Sequence, residues 1–193
     1  PHGPYNQVIK TLELGASGLI WPHCKSREEA KAFVEMAKYH PEGMRGMGGG
    51  RDSFFGKSEK PAYFDIANEN VLLGVMIEDK EGVEASDDIA SVDGIDLLFV
   101  GPGDLSQSYG VHRDPGDPIS KPVILEAFEK VGASCKKHGK FMGTAVDPGE
   151  SMSLAVSRGT TWLNCCHDVT AITTGYLSAI QQTNHIIENT DLL

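Results

Sequence analysis

Glu78 and Asp104 are the residues whose type and setting most directly suggest chemistry. Each follows a short apolar run. Leu72 to Ile77 ends at Glu78, and Ile95 to Val100, apolar apart from Asp96, leads through Gly101-Pro102-Gly103 to Asp104. Runs this short, without polar alternation, predict parallel strands covered on both faces. In parallel α/β folds the C-terminal ends of the strands carry the chemistry. The two acids stand 26 positions apart (104 − 78), one strand–helix unit, which suits the tips of adjacent strands. Carboxylates at one level repel each other unless a cation lies between them. A hard divalent ion is the simplest resolution, because it takes oxygen ligands and magnesium often uses only one or two protein carboxylates. The competing reading is that Glu78 pairs locally and Asp104 only caps a turn.

Other residues could join such a site. Gly101-Pro102-Gly103-Asp104-Leu105-Ser106 reads as a loop entering a short helix, whose exposed backbone N–H groups could hold a carboxylate or phosphate, though turns with two glycines are common. His23 closes the first strand and belongs on the rim with the acids, where it could touch substrate or serve structure. His167 is on that rim too and reads as structural. Arg45 and Arg51 flank a glycine run, Gly48 to Gly50, and can be read as a mobile cationic lid over an anionic substrate or as solvated surface charges. Cys165 and Cys166 are adjacent, but the sequence places no base beside them that would make a nucleophile.

The elements that must position these residues follow from periodicity. Tyr5 to Leu14 predicts a short helix stopped at Gly15, and Gly18 to Trp21 a strand. Ser26 with Glu29 forms a capping box for a helix whose apolar stripe is Ala30, Phe33, Val34 and Ala37. His40 to about Phe64 is glycine-rich and irregular, with a helical turn at Tyr63 to Asn68. Gly82 to Val92 predicts a helix, Ser120 caps another that ends at Gly139, and Phe141 to Val146 is a strand. Asp147-Pro148 opens a helix to Arg158, Trp162 to Cys166 is the fifth strand, and Asp168 to about Gln181 the last clear helix. Methionine and aromatic positions read as core. The order is strand–helix five times with one helix ahead, which implies an α/β fold with parallel strands and right-handed crossovers. Two architectures fit: an open doubly wound sheet, or part of a (β/α)8 TIM barrel. A whole barrel takes about 250 residues, more than the 193 here.

Composition narrows the class. The net charge of −10 argues against nucleic acid, which needs a basic face. No apolar run approaches the roughly 20 residues that span a bilayer. The four cysteines, Cys24, Cys135, Cys165 and Cys166, lack CxxC spacing and predict buried reduced thiols in a cytoplasmic protein.

Several linked motifs then resemble one family. They are Leu19-Ile20-Trp21-Pro22, Ser26-x-x-Glu29-Ala30, Tyr39-x-Pro41-x-Gly43-x-Arg45-Gly46, Val75-Met76-Ile77-Glu78, and Gly94-x-Asp96-x-Leu98-Phe99-Val100-Gly101-Pro102-x-Asp104-Leu105-Ser106. Their order and spacing are similar to those of the class II metal-dependent pyruvate aldolases, the 4-hydroxy-2-oxoheptanedioate and 2-dehydro-3-deoxyglucarate aldolase family. Fungal macrophomate synthase is a divergent member.

The resemblance implies a single domain over 1–193 that forms roughly strands 4 to 8 of the barrel. It implies that Glu78 and Asp104 hold Mg2+ (or Mn2+/Co2+) and that the Gly103 and Asp104 amides receive a pyruvate carboxylate; from the rim and lid readings, His23 and Arg51 are expected to contribute to substrate binding. It implies a homo-oligomer, a hexamer in the family. The family's substrate-orienting arginine closes the third strand and its proposed base, a histidine, follows the second, both expected outside this chain. Met76, His23, the glycine run and Phe54-Phe55 depart from the common bacterial pattern and lean toward the macrophomate synthase branch. The expected chemistry is a carbon–carbon lyase that forms a pyruvate enolate from a 2-oxo acid such as oxaloacetate. That means aldol cleavage or condensation, or decarboxylation, with a 2-pyrone as one further acceptor. The rivals are a non-catalytic piece that binds a divalent metal and a 2-oxo acid, and a doubly wound sheet that binds a phosphorylated ligand. The latter lacks a Gly-x-x-x-x-Gly-Lys-Ser/Thr loop.

Overall fold

The computed structural model describes residues 3–190, the side chain of Lys60 excepted. Its frame is one parallel sheet of β1 (Gly18–Trp21), β2 (Leu72–Ile77), β3 (Leu97–Val100), β4 (Phe141–Ala145) and β5 (Trp162–Asn164), paired in that order. A doubly wound sheet reverses its strand order at a switch point; here the order runs straight through, as in a segment of a (β/α)8 barrel. Trp21 pairs with Val75, Ile77 with Val100, and Val100 with Thr144, so the strands end nearly level. That common level makes a rim out of the residues just beyond them.

The apolar runs bury as their composition requires. Every residue of β3 is buried. Leu73, Val75, Ile77, Leu98 and Val100 pack in one core with Ile89, Phe128 and Val131. Leu97 and Phe99 fill space that neighbouring strands leave open by carrying glycine. A Cβ on Gly143 would come within 2.8 Å of the Phe99 ring, and one on Gly74 within 3.2 Å of Leu97.

The helices are α1 (Pro4–Glu13), α2 (Arg27–Ala37), α3 (Lys60–Asn70), α4 (Lys80–Glu84), α5 (Ser86–Ala90), α6 (Pro102–Ser108), α7 (Pro122–His138), α8 (Glu150–Ser157) and α9 (Asp168–Asn189). Helix α2 starts as its capping signal predicts, with Ser26 Oγ accepting the Glu29 N–H at 3.2 Å. The return bond falls one residue earlier than in the standard box, on the Lys25 N–H (2.8 Å to Glu29 Oε2). Gly139 closes α7 in the left-handed region at φ 66°.

Several boundaries differ from expectation. The helix predicted over 82–92 is two short ones, α4 and α5, that meet at Ala85. Ser120 does not cap α7. It ends a 3-10 turn, Pro118–Ser120, capped by Asp117, whose carboxylate accepts the Ile119 N–H. Helix α8 begins after Gly149 rather than at Asp147. The helical turn expected at 63–68 is the full helix α3, which cuts the irregular segment short. Buried Asn68 on α3 ties that segment down: its side chain accepts the Tyr39 N–H (2.7 Å) and donates to the Tyr39 carbonyl (2.9 Å). The polar tail continues α9 to Asn189, eight residues past the predicted end (189 − 181).

Two readings of side-chain placement are corrected. Only Cys24 and Cys135 are buried; Cys165 and Cys166 are exposed, because β5 ends at Asn164 and releases them into a loop. Met44, Met47, Phe54 and Phe55 are exposed rather than core. Among the described residues no helix is long and apolar enough to cross a membrane.

Candidate metal and substrate site

Glu78 follows the last residue of β2. Asp104 lies in the first turn of α6, which Gly101 and Pro102 open directly after β3. The Gly101 N–H still donates to the Ile77 carbonyl at 3.2 Å, so strand pairing persists up to the point where both acids emerge. Glu78 is 3% exposed, and Asp104 is exposed. Glycine at 101 makes room for the glutamate: a Cβ there would stand 2.8 Å from Glu78 Oε2.

His23 completes the cluster. It follows β1 with φ 51°, a left-handed backbone that few non-glycine residues adopt. Its N–H donates to Glu78 Oε1 at 2.9 Å, and its Nδ1 lies 3.0 Å from Asp79 Oδ2 and 3.4 Å from Glu78 Oε1. The imidazole pKa is raised above its ordinary value, first by the hydrogen bond with Asp79, against some desolvation, and then by the charges of Glu78, Asp79 and Asp104. Lys25 Nζ reaches Asp79 Oδ1 at 3.3 Å, and Ser108 Oγ accepts the Lys80 N–H at 3.0 Å, which ties the β2 rim loop to α6.

The donor chemistry suits a hard cation with open positions. Two carboxylates offer oxygen only, and one of them is buried with a single N–H donor on Oε1. Among the described residues no group of three or more His, Cys, Asp or Glu side chains could hold a metal ion. The set is therefore not a closed structural cage, and a cation here would take its remaining ligands from substrate and water, as magnesium commonly does.

The arginines are not brought to this rim. Arg45 is buried and its Nη2 is ion-paired to Asp52 Oδ2, with its guanidinium 4.7 Å from the centre of the Tyr39 ring. Arg51 is exposed beside Gly15, where a Cβ would meet its own at 3.9 Å. Gly15 precedes β1, so this segment lies at the N-terminal ends of the strands. A cationic lid over Glu78 and Asp104 is not what these residues form, because the chain crosses from α2 to β2 at the opposite end of the sheet. A cavity of about 490 Å³ lined by Leu12, Arg45, Asp52, Phe54, Tyr63 and Ile66 sits at that end. His167 is the cap residue of α9, directly after Cys165 and Cys166 at the end of β5. The reading of motifs passed over Asp79 and Lys25; the signal for Asp79 was its place beside Glu78 on the strand tip.

Residues 2–172 match the family model described as HpcH/HpaI aldolase/citrate lyase. The chain belongs to this family. It is 32% identical over 174 residues to a hydroxypyruvate/pyruvate aldolase of Sagittula stellata, covering 81% of this chain and 68% of the relative. It is 39% identical over 133 residues to a 4-hydroxy-2-oxovalerate aldolase of Rhodococcus jostii, covering 68% of this chain and 51% of the relative. The chain thus spans between about half and two thirds of these curated relatives. Macrophomate synthase is similar in structure, with a TM-score of 0.79, 25% identity, and coverage of 95% of this chain and 64% of that one. The family expected from the motifs is the one found, and the barrel-type fold agrees with its solved members.

Proposed function

We propose that this chain carries the cation- and substrate-binding rim of a divalent-metal-dependent lyase that breaks or makes the carbon–carbon bond next to a 2-oxo acid, with pyruvate or oxaloacetate as the core substrate. The observation that supports the reading is that buried Glu78, just beyond β2, and exposed Asp104, in the first turn after β3, follow adjacent parallel strands, with the His23 N–H held on Glu78 Oε1.

In this reading Glu78 and Asp104 supply the protein ligands to Mg2+, Mn2+ or Co2+. When bound, such a cation supplies Lewis-acid stabilisation of the negative charge that develops on the keto oxygen. The N–H groups of Gly103 and Asp104, at the open start of α6, receive the substrate carboxylate. A Cβ on Gly103 would meet nothing within 4 Å, so an oxyacid can approach that turn closely. His23, half-exposed beside Glu78, stands where the substrate enters. The same carboxylates serve aldol cleavage, condensation and oxaloacetate decarboxylation; a 2-pyrone acceptor, as in macrophomate synthase, would be a variation on the same rim. We place the protein in the cytoplasm, where its four unpaired cysteines stay reduced. We assign it a homo-oligomeric state, a hexamer by its family.

The test is pyruvate formation by the purified protein with Mg2+ and with EDTA, alongside Glu78→Gln. EDTA should abolish turnover, and the substitution should lower kcat/KM by about a hundredfold or more, as expected when several kcal/mol of charge stabilisation are removed. Full activity in EDTA, or in the variant, would sink the reading.

A further inference from the structure

His23 has the strained backbone of a residue held in place for a purpose, and its partners show what it holds. At φ 51° the chain bends directly after β1, and two successive N–H groups part company. That of His23 goes to Glu78 Oε1 at 2.9 Å, and that of Cys24 to the Met76 carbonyl at 3.1 Å. Cys24 is fully buried, and its carbonyl comes within 2.5 Å of where a Cβ on Gly82 would stand. The downstream side of the bend is therefore wedged against α4. The upstream side is fixed by the pairing of Trp21 with Val75. What remains is the turn itself, and the imidazole locks it: Nδ1 sits 3.0 Å from Asp79 Oδ2, while Lys25 Nζ holds the other oxygen of Asp79 at 3.3 Å. On the far side of Glu78, Gly101 leaves the space that Oε2 occupies.

We propose that His23 is the positioning residue for Glu78. Its left-handed backbone, clamped by its own imidazole on Asp79, aims the His23 N–H at Glu78 Oε1 and so determines how the carboxylate presents its other oxygen. This rests on the reading of Glu78 as a cation ligand. The side chain acts through the shape of the turn and the backbone N–H, so the residue type matters for the conformations it allows. Asparagine tolerates the left-handed region and β-branched residues do not.

The experiment measures Mn2+ binding to the purified protein from the electron paramagnetic resonance of free Mn2+, with no substrate. The wild type should bind and Glu78→Gln should not. His23→Asn, which tolerates the left-handed region but lacks the imidazole clamp, and Asp79→Ala, which frees that clamp, should each weaken binding by about threefold to tenfold, and His23→Val, which loses both, by more than about tenfold, the cost of forcing or freeing one left-handed residue. Circular dichroism establishes that each variant is folded. If His23→Val fails to fold, Asp79→Ala, which leaves the His23 backbone chemistry untouched, decides. Wild-type affinity in the folded variants overturns the positioning role alone. Absence of Mn2+ binding by the wild type, or wild-type affinity in Glu78→Gln, overturns the cation reading and this proposal with it.

Discussion

Burial separates the residues of this chain into those that can react and those that cannot. Cys24 and Cys135 are buried, and desolvation pushes their thiols up to about 11 and about 12, where almost no nucleophilic thiolate exists near neutrality. Cys165 and Cys166 stand exposed after β5. A disulfide-exchange reagent at pH 8 should therefore modify two thiols quickly in the folded protein and all four in denaturant. Fast modification of four in the native state would contradict the burial. The same contrast explains which site residues could be read from the chain alone. Glu78 and Asp104 were legible because an apolar run that ends in an acid marks a strand tip whatever the surrounding fold. Arg51 was not, since a glycine-rich segment carries no periodicity that says which end of the sheet it crosses. The setting of His23 was half legible: its place on the rim follows from the strand before it, but its positive φ could not be read from the sequence.

At the scale of elements, helix packing outside the sheet is stitched by charge as well as by apolar faces. Asp87 on α5 accepts hydrogen bonds from Lys137 at 2.8 and 2.9 Å and lies 3.0 Å from His138 Nε2, both on the last turn of α7. These partners, Lys137 first, hold the Asp87 carboxyl below its usual range. A depressed carboxylate contributes stability above its unfolded pKa and loses it as pH falls through the folded value. The gap in urea midpoint between wild type and Asp87→Asn should thus be present near pH 5 and close below about pH 4. A gap that widened on acidification would refute the clamp. Because Asp87 is half-exposed, the effect should be small. The strands were nearly all legible from their apolar runs, and α2 and α7 from their stripes. The break at Ala85 was not, because Val83, Ile89 and Ala90 keep one buried set across it, so the periodicity hides the interruption.

For the whole molecule, α9 is the element whose burial is least complete. None of its residues is buried, and Val169, Ile172, Tyr176, Ile180 and Ile187 recur along it while exposed. An apolar stripe of that length on a surface helix marks an interaction face, which accords with the proposed self-association. Light scattering should find the protein as a multimer, and Ile172→Lys with Tyr176→Glu should lower its mass. An unchanged mass, or a monomeric wild type, would remove α9 from the contact. The parallel α/β class was legible because five strand–helix units in succession leave few topologies; the straight strand order followed only from the family resemblance, since a doubly wound sheet fits the same succession. The helical end of α9 was not, since a polar, solvent-facing stretch without a buried stripe reads as tail. A last consequence concerns ageing. Asn68 serves the Tyr39 peptide as a complete strand partner made from a single amide, giving one hydrogen and taking another. Hydrolysis of that amide to aspartate would swap its donor for a second acceptor against a buried carbonyl, a mismatch that costs more than the bond it replaces. A change of one atom group would then loosen the long connection between α2 and α3 while leaving the carboxylate rim, at the other end of the strands, in its original form.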